Sequence, residues 1–217
     1  YLATLGGIFI YDLLENDWHT ITEKNGLYDA SVWNLVKHDA SLFAITSRGI
    51  NEISLINHAV IPNKDNWISQ FYGHEVYYMV LSGSIAYVAT QKGLFSVNRE
   101  NNQIRSMSDK MFKKLQLVDE ALYALDNGVW KFKNGEWTKI ELGIHDFAVC
   151  GQFIWMNMGR KAKLINRESE QFWIYGSDDG LPGSQIYGLD CDPDWVWFLT
   201  NKGIAFYKWS LHHYEVD

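Results

Sequence analysis

The chain has 217 residues, of which 47% are hydrophobic and 15% aromatic, so it can bury a substantial core and is not a disordered segment. Its net charge of −7, with basic residues dispersed among acidic ones, argues against a general nucleic-acid binder. No run approaches eighteen apolar residues, and no signal peptide precedes Tyr1, so no membrane span or export signal is visible. Because the chain does not begin with Met, we expect it to be processed or truncated.

One pattern recurs along the chain: a short β-rich run, a polar turn ending in glycine, and a second run. The turn glycines are Gly7, Gly49, Gly93, Gly128 and Gly203. A degenerate copy beginning at Met156 fills the long last interval. The runs at 43–46, 87–90 and 197–200 are too short, too β-branched and too aromatic for helices, so they predict strands. A period near forty residues built from short strands is typical of a β-propeller blade.

The elements can be assigned to blades in chain order. The first blade starts at its second strand, with Tyr1, and therefore lacks an inner strand. The later blades are expected to begin near Ser31, Glu75, Lys114, His145 and Gln185, and the fourth strand of the second blade near Trp67. In the last blade, the predicted strands are 185–190, 195–200, 204–208 and 213–216.

We therefore predict an all-β fold, a β-propeller of about six four-stranded blades whose first blade is incomplete. The expected single domain or fragment divides into blades at 1–27, 28–72, 73–109, 110–142, 143–176 and 177–217. Either the last residues lend a strand to the first blade, or the chain is a piece of a longer ring of seven or more blades.

Two of these units are similar enough to align without a gap. A shift of 154 positions places Gly26, Leu27 and Thr46 on Gly180, Leu181 and Thr200. The later copy, GLPGSQIYGLDCDPDWVWFLTNKGIAFYK from Gly180, resembles the two-component regulator propeller repeat. The similarity is clear over blades two and six and weaker elsewhere. Three departures are Leu199 in place of a small residue, Lys161 in place of the turn glycine, and Tyr28 in place of proline.

The resemblance implies an extracytoplasmic propeller, commonly the sensory region ahead of a kinase in signal transduction. Some members sense glycans, and others belong to secretion or surface machinery. On this basis we expect a periplasmic or extracellular location.

Polar residues recur at the turns. Thr46, Thr90 and Thr200, with Gly49, Gly93 and Gly203, are expected to be structural, because Thr hydroxyls bond nearby backbone groups. A basic residue lies between each threonine and its glycine: Arg48, Lys92 and Lys202. We expect these three residues on one face of a propeller, where they would form a loose cationic ring able to orient an acidic ligand. Solvated turn residues would give the same pattern.

Aromatic residues lie on or beside the predicted inner strands, where they could line a channel mouth and stack on a sugar or another planar ligand. They are Trp33, Tyr77, Tyr78, Phe147 and Tyr187. Core packing is the alternative role for each of them. Our candidate ligand-binding set combines Trp33 and Tyr187 with the three cationic positions.

Metal and cofactor sites are not expected. The acidic run Asp190 to Asp194 lacks the glycine and the final Glu of an EF-hand loop. His212 and His213 are adjacent and would point to opposite faces of a strand. Cys150 and Cys191 fall at equal offsets in consecutive blades, so we expect separate buried thiols rather than a disulfide.

No catalytic motif is present, so we predict a non-catalytic ligand-binding or sensory module for a small molecule or glycan. One alternative is a structural or assembly propeller that binds protein partners in a surface or secretion complex, and homodimer formation is a further option. A second alternative is a propeller hydrolase or lyase.

Overall fold

The computed structural model describes residues 1–62 and 66–213, and its fold is an all-β propeller with six blades, as predicted. Each blade is an antiparallel sheet whose strands are neighbours in sequence order. The chain divides into two compact units, Tyr1–Leu115 and Gln116–Asp217.

The first unit contains three blades. Blade one has β1 (Leu2–Thr4), β2 (Gly7–Asp12) and β3 (Asp17–Ile21). Blade two has β4 (Val32–His38), β5 (Ser41–Thr46), β6 (Gly49–Ser54) and β7 (Val60–Ile61). Blade three has β8 (Val76–Ser82), β9 (Ile85–Thr90), β10 (Gly93–Asn98) and β11 (Ile104–Ser108). Two 3₁₀ helices, Glu23–Asn25 and Trp67–Phe71, connect the blades.

The second unit contains the other three blades, and the boundary between units falls within β12. Blade four has β12 (Lys114–Val118), β13 (Ala121–Leu125), β14 (Gly128–Lys133) and β15 (Glu136–Leu142). Blade five has β16 (Asp146–Cys150), β17 (Phe153–Asn157), β18 (Ala162–Asn166) and β19 (Phe172–Tyr175). Blade six has β20 (Ile186–Cys191), β21 (Val196–Thr200) and β22 (Gly203–Tyr207). The 3₁₀ helix Ser177–Asp179 precedes blade six, and α1 (Ser210–His213) follows it.

Alternation along the strands explains why the blades pack face to face. In blade two, Phe43 and Ile45 point to one side of β5 and are buried with Val76 and Met79 of blade three. The intervening Leu42 and Ala44 point to the other side and pack with Ile8 of blade one. Strands with apolar residues at successive positions are therefore buried on both faces.

The described helices are short. The longest in residues 1–62 and 66–213 has five residues, which is far from the length needed to cross a bilayer.

The prediction that Trp67 begins the fourth strand of blade two is wrong. That strand is β7, Val60–Ile61, and Trp67 begins a 3₁₀ helix instead. Asn66 caps this helix by accepting a hydrogen bond from the Ile68 amide at 3.1 Å. Trp67, Ile68 and Phe71 are all buried, because one helical turn places them together against the core of blades two and three.

The predicted fourth strand of blade six, 213–216, is not observed where the structure describes it. His213 is the last residue of α1, and residues 214–217 lie outside the described part of the chain.

The prediction of separate buried thiols is also wrong. Cys150 and Cys191 form a disulfide, and their Cα atoms are 6.2 Å apart. Both residues end the first strand of their blade, and β16 and β20 lie next to each other. A carboxylate oxygen of Asp146 on β16 accepts a hydrogen bond from the Leu189 amide on β20 at 2.8 Å. Adjacent inner strands thus converge to within the range that a disulfide spans.

Candidate functional site

The same irregularity occurs in the first strand of blades two, three and six. Each of these strands has a register shift that leaves one aromatic residue in a β-bulge: Trp33, Tyr77 and Tyr187. A bulge bends its strand and redirects a side chain away from the regular alternation. Three copies of the sequence repeat therefore share a β-bulge that places an aromatic residue on the inner strand of the blade.

In the first unit, two of these bulges meet. The indole Nε1 of Trp33 donates a hydrogen bond of 2.7 Å to the carbonyl oxygen of Val76, the residue before Tyr77. The Trp33 side chain is held in place, although the residue remains 40% exposed. Its ring is therefore oriented by the protein and still accessible to solvent.

Around these rings lies an open cleft of about 280 Å³, which we call the aromatic cleft. Its lining residues are Trp33, Asn34, Glu75, Tyr77, Tyr78 and Lys113. Three aromatic rings supply flat apolar surface, while an amide, a carboxylate and an ammonium group supply hydrogen-bonding groups. This combination suits a sugar ring or another planar polar molecule.

The charge of the aromatic cleft is set by Glu75 and Lys113. Burial raises the pKa of Tyr77, and the neighbouring Glu75 carboxylate raises it further. The Tyr77 hydroxyl lies 3.5 Å from a carboxylate oxygen of Glu75. Tyr77 is therefore a neutral hydrogen-bonding group near neutral pH.

The structure places Trp33, Tyr77 and Tyr78 together, but it separates Phe147 from any such role. Phe147 is fully buried in the core between blades four and five. Tyr187 is 62% exposed on blade six, in the second unit.

The sheet that carries Tyr187 also has an exposed apolar surface. Trp197 and Leu199 on β21 lie directly opposite Phe206 and Ile204 on β22, so the four side chains share one face of the sheet. All four are exposed, and Ile204 is 71% exposed. We call this set the blade six face. In blade two, the positions equivalent to Trp197, Leu199 and Ile204 are buried against blade three, as Phe43, Ile45 and Ile50.

The three cationic candidates are exposed, and none of them lines the aromatic cleft. Arg48 Nε lies 3.8 Å from a carboxylate oxygen of Asp29. The pKa of Asp29 is lowered mainly by a hydrogen bond from the Ser47 hydroxyl, and less by Arg48. Lys92 lines a separate cavity of about 120 Å³ beside His74, whose pKa is lowered by burial and by Lys92. The cationic ring stays a prediction.

Three threonines at the repeated turn position form the same pair of hydrogen bonds. The hydroxyls of Thr46, Thr90 and Thr200 donate to the carbonyl oxygens of Gly49, Gly93 and Gly203 at 3.0, 3.1 and 2.8 Å. Each hydroxyl also accepts a hydrogen bond from the amide two residues later, at Arg48, Lys92 and Lys202.

One cluster of polar residues was missed by sequence reasoning. Asp12, Glu15 and His19 bring potential metal-ligand atoms within 4.8 Å of one another in blade one. The Asp12 carboxylate already accepts hydrogen bonds from the Leu14 and Glu15 amides, which lower its pKa. We interpret this cluster as a capped hairpin turn.

Sequence reasoning also missed the polar part of the aromatic cleft. Asn34, Glu75 and Lys113 come from three different blades or their connections, and no spacing in the sequence joins them. The sequence did contain a signal for the aromatic part of the cleft, because Trp33, Tyr77 and Tyr187 occupy equivalent positions of the repeat.

No protein-family model matches the sequence, and a search of curated proteins finds no match. Similar solved structures include two extracellular domains from B. thetaiotaomicron. One belongs to BT3049, a proposed hybrid two-component system, with a TM-score of 0.75, 14% identity and coverage of 94% of this chain and 31% of that chain. The other belongs to BT4673, a proposed one-component system, with a TM-score of 0.72, 14% identity and coverage of 94% and 30%.

A third similar structure is PorZ, described as an essential surface component of the type-IX secretion system of Porphyromonas gingivalis. Its TM-score is 0.62 and its identity 14%, with coverage of 91% of this chain and 28% of that chain. This chain thus spans less than a third of the length of the three structures. At these identities the likeness establishes the β-propeller fold.

Proposed function

We propose that the chain is a non-catalytic ligand-binding or sensory propeller module that works outside the cytoplasm, and that the aromatic cleft binds a small molecule or glycan. The observation that carries this proposal is the pair of bulges, at Trp33 and Tyr77, that aim aromatic rings into one cleft. Outside the aromatic cleft, Arg48 and Lys92 of the first unit and Lys202 of the second are each proposed to orient an acidic ligand, and Tyr187 of the second unit is proposed as a separate aromatic contact.

The composition of the aromatic cleft supports a binding role over catalysis. Glu75 is the single carboxylate among the described residues that line it, whereas glycoside hydrolysis generally requires an opposed pair. Binding through rings and hydrogen bonds needs no such pair.

Two observations support a location outside the cytoplasm. The Cys150–Cys191 disulfide is typical of oxidising compartments. The similar structures from B. thetaiotaomicron are named as extracellular domains, and PorZ is named as a surface component.

The test is binding of neutral oligosaccharides, measured by calorimetry with short β-glucan, xylan, mannan and galactan fragments. We expect one fragment class to bind, and Trp33→Phe and Tyr78→Ala to weaken its binding by at least tenfold, because ring contact area and orientation are lost. The matched control is Trp18→Phe, which alters an exposed tryptophan of blade one outside the cleft. If no fragment binds, or if the control loses as much affinity as the cleft variants, the glycan proposal is overturned.

A second candidate function is an assembly module, favoured by the blade six face. Its four members are apolar and carry no charge, so the same face of a second copy would be complementary to it. Sedimentation velocity should then show a concentration-dependent dimer that Phe206→Lys abolishes. A monomer at all concentrations would remove the homodimer form of this candidate.

A further inference from the structure

Another cavity lies between blades four and five within the second unit, and it shares no lining residue with the aromatic cleft. Its volume is about 390 Å³. One wall is a row of paired residues across blade four, Tyr123, Lys131 and Thr138. The opposite wall is a row across blade five, Ile154, Ile165 and Phe172. We call this cavity the blade four–five wedge.

The wedge is open because no connection in the described part of the chain fills it. Between blades two and three, the 3₁₀ helix Trp67–Phe71 places buried apolar side chains in the core. Between blades five and six, the fully buried Trp209 packs on Phe153, with ring centroids 5.1 Å apart. The connection from β15 to β16 has three residues, 143–145, of which Ile144 is buried in the inner core.

Cationic side chains line the wedge, although the whole chain is acidic. They are Lys131, Lys139, Lys163 and Arg167, with Glu170 as the acidic member of the lining. Two of them are held in place by partners. Lys163 Nζ lies 2.5 Å from a carboxylate oxygen of Glu141, and Arg167 bonds Asp119 at 2.8 Å and the Tyr123 hydroxyl at 2.9 Å.

No carboxylate of the described residues forms an ion pair with Lys131 or Lys139. Lys131 Nζ lies 6.0 Å from the centroid of the Tyr123 ring, which orients it along the blade four wall. Glu141 and Asp119 balance the charges of Lys163 and Arg167. The two remaining lysines, Lys131 and Lys139, then face the single carboxylate Glu170, so the lining keeps a net excess of about one positive charge.

Apolar surface completes the wedge. Ile140, Ile154 and Ile165 lie in its walls, and the Phe172 ring is 55% exposed at its edge. The volume falls within the range of small-molecule sites, and apolar walls with a few charged groups are typical of such sites.

We propose that the blade four–five wedge binds a small organic anion, in which a carboxylate or sulfonate is attached to an apolar body about the size of one or two rings. Lys131 is the principal counter-charge, and Ile154, Ile165 and Phe172 contact the apolar body. This site shares no lining residue with the aromatic cleft, so the second unit would have a ligand-binding site of its own.

The experiment uses the intact chain with 2-naphthoate, 2-naphthalenesulfonate and the neutral 2-naphthalenemethanol as probes, titrated by calorimetry at low and high salt. We expect both anions to bind at least tenfold more tightly than the alcohol, with affinity falling as salt rises. Lys131→Gln should weaken anion binding at least tenfold. The matched control is Lys133→Gln, which removes the same charge from an exposed position of the same strand that does not line the wedge, so it should have a much smaller effect.

Methyl NMR of the unaltered protein provides a measurement that does not depend on any variant. The naphthoate should shift the methyl signals of Ile154 and Ile165 and leave those of Ile8 and Ile50 in the first unit unchanged. The proposal is overturned if the anions and the alcohol bind equally, if neither anion binds at millimolar concentration, or if Lys133→Gln matches Lys131→Gln. Neutral oligosaccharide binding at the aromatic cleft should be unchanged by Lys131→Gln, so the two proposals can fail separately.

Discussion

At the scale of single residues, a threonine in the turns of blades one, two, three and six replaces hydrogen bonds that the chain reversal interrupts. Thr46 is fully buried, and its hydroxyl both donates to the Gly49 carbonyl and accepts from the Arg48 amide. Buried backbone groups need such partners, because leaving them without hydrogen bonds is costly. Thr4 forms the same two bonds in blade one, where the turn is more exposed.

Thr46→Val should therefore lower the free energy of unfolding by about 1–3 kcal/mol, since the shape is kept but both hydrogen bonds are lost. Urea denaturation followed by fluorescence measures this change. The control is Thr4→Val, which we expect to cost less because water can replace the lost bonds. Equal losses for both variants would show that burial does not decide the effect.

At the scale of the blade, the outer strand determines how strictly the turn requires glycine. Gly93 has a φ of +117°, and a Cβ placed on it would lie 2.3 Å from the Ser108 carbonyl oxygen on β11. Gly203 has a similar φ of +115°, but a Cβ there would meet nothing within 4 Å. No described strand pairs with the outer edge of β22, so that space is open.

Alanine at the two positions should therefore have different effects. Gly203→Ala introduces backbone strain alone, which we expect to lower the free energy of unfolding by about 1–3 kcal/mol. Gly93→Ala adds a steric clash with β11 and should lower the melting temperature considerably more. Differential scanning calorimetry of the two variants compares them directly. A larger loss for Gly203→Ala would mean that residues beyond β22 pack against this turn.

At the scale of the whole molecule, the disulfide joins the inner strands of two successive blades. Cys150 and Cys191 are 41 positions apart, so the bond closes a long loop that would otherwise be free in the unfolded chain. In the chain-entropy account, closing a loop of this length stabilises the folded state by about 4 kcal/mol. The stability of the second unit therefore depends on whether its surroundings keep this disulfide oxidised.

Reduction should lower the melting temperature of the unaltered protein and increase amide hydrogen exchange in β16 and β20. The Cys150→Ala, Cys191→Ala double variant should melt at the temperature of the reduced protein and should not respond to reductant. Alkylation of the unreduced protein followed by mass spectrometry is the direct check. Labelling of both cysteines without reduction would contradict the observed bond.

Local patterns in the amino-acid sequence were enough to predict most strands and their grouping into blades. Strand alternation, turn glycines and the Thr–Gly pairs are local, so they are visible in one repeat and reinforced by the others. One local pattern, at Trp67, was compatible with both a strand and a 3₁₀ helix. The run at Trp67 carries β-forming residues, yet burial of Trp67, Ile68 and Phe71 on one side favours a 3₁₀ turn.

Contacts between residues of different blades could not be predicted from these local patterns. The disulfide depends on how closely β16 and β20 converge, a distance that equal sequence offsets do not specify. The aromatic cleft combines the bulged Trp33 and Tyr77 with Glu75 and Lys113, although these residues share no spacing in the sequence. The blade four–five wedge exists because a three-residue connection leaves it unfilled. The physical reason is the same in each case: hydrogen bonds within a blade follow sequence order, whereas packing between blades depends on side-chain volume and on bulges.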